Sequence, residues 1–127
     1  MFQFNVADVP EPIALPAGEY IARIVKFEDR ARSKGPGTMS AITLTFPNNP
    51  DSKLLTHYLM HPDTVEDETK MNNCLRRIKQ FCNCFGLDAD GGFDESDAVG
   101  SEGTVILDME TSEEWGEQNN IRRFIAQ

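Results

Sequence analysis

Hydrophobic and polar positions along the chain follow two different periods. Gly18–Arg30 alternates, with Tyr20, Ala22 and Ile24 on one face and Ile21, Arg23 and Val25 on the other. That spacing predicts a strand with one apolar face and one mixed face. A long first strand shared between two parts of a barrel has this double character. Met39–Phe46 sets Ile42, Leu44 and Phe46 against Ala41, Thr43 and Thr45, and its β-branched residues favour a second strand. Lys53–Met60 predicts a third, after the turn PNNPDS. Beyond it the period changes. Met71, Cys74, Leu75, Ile78, Phe81, Cys82 and Phe85 predict an amphipathic helix stopped by Gly86, with Leu87 in contact beyond the glycine. Gly103–Met109 predicts a fourth strand and Asn119–Ala126 a fifth. Residues 1–17, punctuated by Pro10, Pro12 and Pro16, read as an extended arm anchored by Phe2, Phe4 and Ile13.

Three strands, a helix and two strands make a mostly β chain. The order fits a five-stranded OB-fold barrel with one helix between strands three and four, plugging an end of the barrel. An α+β sheet with the helix on one face is the other arrangement this pattern allows. At 127 residues the chain is one domain, spanning 18–127 behind its arm. The connections are a turn-rich loop at Ala31–Thr38, an acidic glycine-containing linker at Asp88–Ser101 and an acidic loop at Glu110–Gln118.

Charge changes this picture. The net value is -9, which excludes a basic footprint over the whole molecule. The charges are segregated, however. Lys70, Arg76, Arg77 and Lys79 lie in a stretch, 70–85, with no acid, whereas 86–119 has no base at all. With a Debye length of roughly 8 Å, a local basic groove can act independently of distant acids.

Catalytic and metal chemistry find no support in the sequence. Cys74 and Cys82 fall on the helix core face and Cys84 on its surface, and no second ligand cluster accompanies them. DADGGFDESD lacks the spacing of a calcium loop. His57 and His61 have no third ligand, SKGPG is not a phosphate loop, and no serine sits in a nucleophile elbow. A non-catalytic module is therefore expected, with no metal and no cofactor. No apolar run is long enough to span a membrane, and the N-terminus does not read as a secretory signal. The cysteine usage suits a reducing, intracellular setting.

On an OB barrel, single strands bind the face of strands two and three and the loops after strands one and four. Candidate phosphate contacts there are Arg30, Arg32 and Lys34 in the first loop, and Lys53 at the start of strand three. Arg23 and Lys26 on strand one and Arg122 and Arg123 on strand five add to them. His57 and Tyr58 lie in strand three; alternation turns only one of them outward, and the sequence does not say which. Trp115 could stack on a base or cap the barrel. Arg76, Arg77 and Lys79 fall on the helix face away from the core.

The segments FQFNVADV, LPAGEYIARIVKFE, MSAITLTF, LRRIKQFCNCFGL, VGSEGTVILDME and EQNNIRRFIA, in this order over nearly the whole chain, resemble a known family. It is the family of small OB-fold single-stranded DNA-binding proteins encoded by bacteriophages, long catalogued as a domain of unknown function. The resemblance implies a protein that coats and protects single strands in phage DNA replication and recombination, in the cytoplasm of the infected bacterial host. Its partners would be single-stranded DNA and replication proteins, with a homo-oligomer left open. The alternative is an OB-fold adaptor whose acidic loops bind a basic protein partner.

Overall fold

The computed structural model describes residues 3–4, 7, 10–31, 37–62 and 67–127. Its elements are β1 (Gly18–Ala31), β2 (Thr38–Thr45), β3 (Leu55–Met60), α1 (Glu68–Phe85), the one-turn α2 (Glu95–Ala98), β4 (Glu102–Ser112) and β5 (Gly116–Phe124). The strands form one antiparallel sheet in the order β3-β2-β1-β4-β5. The expected mostly β chain, with its long helix between the third and fourth strands, is present. The expected closure is not: β3 and β5 are the two edges, and no hydrogen-bonded ladder joins them among the described residues. The edges still approach, since His57 of β3 meets Phe124 of β5 edge to face at 5.2 Å between centroids.

Two bulges curl the sheet. The first half of β1 pairs with β4 and the second half with β2, Arg23 belonging to both ladders. Val25 is skipped where the register shifts between Ile24 and Lys26. An extra residue reverses the alternation, so Ala22 and Ile24 point inward before it and Phe27 after it. The second shift, opposite Ile106 and Leu107, skips Arg122 in β5. Ile121 and Phe124 then both pack on the core while Arg122 and Arg123 stay exposed.

Ile24, Ile42, Leu44, Phe46, Phe81 and Leu107 are fully buried. Each such side chain contributes roughly 1.5–3 kcal/mol. The C-terminal half of α1 covers one end of this core with Phe81, Cys82, Cys84 and Phe85. Cys84, expected at the surface, is buried because Gly103 of β4 lets the helix end come close. A Cβ at Gly103 would lie 2.6 Å from the Cys84 carbonyl oxygen. The N-terminal half of α1 stands off from the core, leaving Leu75 exposed and Cys74 only half-buried, its thiol donating to the Met60 carbonyl at 2.9 Å. The helix begins at Asp67, whose carboxylate accepts from the Thr69 and Lys70 amides. It ends at the expected Gly86, left-handed at φ 70°.

The arm straps the opposite end. Ile13 donates to Asp51 O and accepts from Lys53 N, beside the start of β3. Leu15 is clamped to β5, its amide donating to Asn119 Oδ1 and its carbonyl accepting from Asn119 Nδ2, both at 2.7 Å. Ala14 and Leu15 are the buried anchors, whereas Phe4 and Ile13 are exposed and Phe2 lies outside the described residues. The acidic linker is also more ordered than expected. Phe93 packs on Phe27, Ala98 of α2 is buried, and Gly100 and Ser101 bond the backbone of Ile24 beside the first bulge. Most of the expected Glu110–Gln118 loop is paired strand, and Trp115 sits in the hairpin tip.

Candidate functional site

Where the sheet edges approach without pairing, they leave a trough. A cavity of about 810 Å³ lies between the end of β3, one face of α1 and the end of β5. A smaller hollow of about 320 Å³ lies between Lys53–Thr56 and Gln118–Asn119, and Tyr58 lines both. On the α1 side it is lined by the polar side chains of Lys70, Asn73, Arg77 and Gln80, and on the β5 side by the segment that carries the Arg122 bulge.

Lys70 and Arg77 of α1 and Arg122 and Arg123 of β5 line the larger cavity, and among the described residues no carboxylate does. In a chain of net charge -9 this is a local reversal of sign. The apolar floor is a chain of rings, His57 on Phe124 and Phe124 on Phe81 at 5.7 Å. Burial against this floor pushes the His57 pKa below the ordinary histidine value. The ring is therefore neutral at pH 7. Arg122 has a distant carboxylate neighbour, Asp108, at 4.0 Å.

The structure divides the expected binding residues among several places. In β3, Leu55, His57 and Leu59 turn inward and Thr56, Tyr58 and Met60 outward. Tyr58 is the exposed member of the pair and His57 the inward one, yet both line the trough. Lys53 crosses the gap, its Nζ donating to Glu117 O at 2.9 Å. Arg30 lies over the Tyr58 ring, 5.6 Å from its centroid. Arg23 and Lys26 belong to the central strand, far in sheet order from the edges. Arg23 is bound to Glu102 at 2.7 Å and Lys26 to Glu28 at 3.1 Å. The Lys26 hydrogen bond and charge, with Arg30 behind them, hold the Glu28 carboxyl below its usual pKa. Trp115 is exposed at the hairpin tip, and Arg32 and Lys34 lie outside the described residues. Lys53, His57, Tyr58, Arg122 and Arg123 thus share one seam, with Arg30 at its flank. Arg23, Lys26 and Trp115 do not join it.

Sequence reasoning missed Lys70 and Arg77, having turned Arg77 away from the core and toward bulk water. The signal available was the acid-free basic stretch 70–85. The fold also gathers a polar cluster that the sequence does not signal. Ser40 Oγ donates to Asp29 at 2.6 Å and meets His61 Nε2 at 2.7 Å, while His61 Nδ1 meets Thr38 Oγ1 at 2.7 Å. This is not a hydrolytic triad. The carboxylate engages the serine rather than the far ring nitrogen, and Ser40 is buried. Among the described residues no group of three or more potential ligands could hold a metal ion, and no helix is long and apolar enough to cross a membrane. No protein-family model and no curated protein matches the chain.

Proposed function

We propose that this chain is a non-catalytic single-stranded DNA-binding protein. In this reading it coats and protects exposed strands during phage DNA replication and recombination, inside the bacterial host. The observation that carries the reading is the seam: cations from α1 and β5 and rings from β3 border one trough that, among the described residues, has no carboxylate, in an otherwise acidic molecule. Phosphates would take the cations, and bases would stack on Tyr58, at roughly 1–3 kcal/mol per stacked base whatever the sequence. In the same reading the sheet is an OB-type barrel, closed between β3 and β5 by packed rings instead of a ladder. The strand order and the helix between β3 and β4 support it.

Fluorescence anisotropy with labelled oligothymidylate tests the function. Binding should weaken with salt at a log–log slope of about -2 to -3, for three or four phosphate contacts at roughly -0.7 each. A duplex of equal length should bind far more weakly. Absence of binding at low salt, or equal affinity for duplex, refutes the proposal.

The β4–β5 hairpin favours a second reading. Glu110, Glu113, Glu114 and Glu117 surround the exposed Trp115, and none of the four is in an ion pair among the described residues. An adaptor using this hairpin would capture a basic protein and ignore DNA. Charge reversal at Arg122 and Arg123 separates the two readings, since it abolishes DNA binding and spares capture through the hairpin.

A further inference from the structure

We infer that α1 is one wall of the DNA path. The strand lies lengthwise in the seam, its phosphates held between Lys70 and Arg77 on the helix and Arg122 and Arg123 on β5. It does not cross the outer face of β2 and β3. This rests on the single-stranded DNA reading and adds the route and the helix residues that make it.

Three observations carry the route. First, Lys70, Asn73, Arg77 and Gln80 all line the cavity and are spaced three, four and three residues apart. That spacing puts them in one stripe along the helix. Lys70 and Arg77 are two turns apart, about 10.5 Å, within reach of one run of phosphates. The amides of Asn73 and Gln80 supply both donors and acceptors for sugar and base edges between them.

Second, the cations of the seam and those of the outer face differ in their partners. Arg23 and Lys26 are held by Glu102 and Glu28. Lys70, Arg77 and Arg123 are in no ion pair among the described residues, and Arg122 has only Asp108 at 4.0 Å. Two cationic walls facing across one trough repel each other, and a polyanion laid between them removes that repulsion. A phosphate contact at Arg23 or Lys26 would first have to break an existing pair.

Third, away from the seam the outer face of β2 and β3 offers little to stack on. Met39 and Ala41 of β2 are already buried, and Tyr58, the ring that β3 turns outward, stands at the seam and lines the trough itself.

The experiment has two readouts. Arg77→Ala should weaken oligothymidylate binding about fivefold at 0.1 M salt, the worth of one phosphate contact, and make the slope shallower by about 0.7. Lys79→Ala removes the same charge from the far side of the helix and should change neither. In the unaltered protein, Cys74 lines the trough and is the half-buried thiol, whereas Cys82 and Cys84 are buried. Burial also pushes Cys84 up to about 11. Iodoacetamide should therefore label Cys74 alone, and bound oligonucleotide should block that labelling. Suppose the oligonucleotide binds, Arg77→Ala matches Lys79→Ala, Cys74 stays reactive, and Arg23→Ala or Lys26→Ala weakens binding instead. The route is then overturned and the function stands. If no oligonucleotide binds at low salt, the function falls and the route falls with it.

Discussion

Asn119 joins the arm to the sheet, and removing it measures what the arm contributes. Its side-chain amide offers the Leu15 backbone a donor and an acceptor, both at 2.7 Å, and also donates to Asp108 O at 3.2 Å. It acts as one rung of a strand that is not there. Leu15 is 5% exposed, so water cannot easily replace the lost partner. A neutral hydrogen bond is worth about 0.5–1.5 kcal/mol net, and a buried group left unpaired costs about 1–3 kcal/mol. Asn119→Ala should therefore destabilise the domain by about 2–4 kcal/mol, read from urea unfolding. The arm has a cheaper escape, which is to detach locally and expose Ala14 and Leu15. In that case the loss in global stability is at the low end, and the Leu15 amide exchanges with solvent hydrogen far faster. Asn119→Asp separates the two bonds. It keeps the acceptor for the Leu15 amide but sets a carboxylate against the Leu15 carbonyl, so it should protect the amide better than alanine while still losing stability. An unchanged urea midpoint together with unchanged Leu15 exchange in Asn119→Ala would refute the strap.

Two further predictions concern the core and the trough. Gly103→Ala should cost about 1–3 kcal/mol, because the new methyl meets the Cys84 backbone carbonyl, which cannot rotate away; an unfolding midpoint equal to that of the parent counts against the close approach. For His57, the folded pKa lies below the ordinary value near 6.5, so below that pH the unfolded chain takes up a proton that the folded chain resists. Stability should fall as pH drops from about 6.5 toward the folded pKa, and His57→Gln should flatten that part of the profile. A parent–variant difference that is constant from pH 7 to 5 contradicts the burial argument.

The helix and the strands were legible because their signals are local. A period of two through Ile42, Leu44 and Phe46, and a period near 3.6 through Ile78, Phe81, Cys82 and Phe85, report which face meets an apolar neighbour without saying which neighbour. Gly86 ended the helix as its freedom at positive φ requires. The same local signal failed in the first half of α1. Met71, Cys74 and Leu75 keep the helical period, yet no element covers them fully. Periodicity can show that a face is apolar, but not that something lies on top of it.

What only the tertiary structure decided is how the two ends of the sheet meet. The bulges at Val25 and Arg122 are defined against partner strands, so no window of β1 or β5 alone contains them. They turn Phe27 and Phe124 inward and bring His57 to Phe124 from sixty-seven positions away in the chain. Arg77 became part of a trough because β3 and β5 approach without pairing, and Arg23 lies outside it because β1 is the central strand, where Glu102 of β4 pairs with it. Residue order along the chain sets which side chains alternate. Which of them share a space depends on curvature, and curvature is a property of strands paired together.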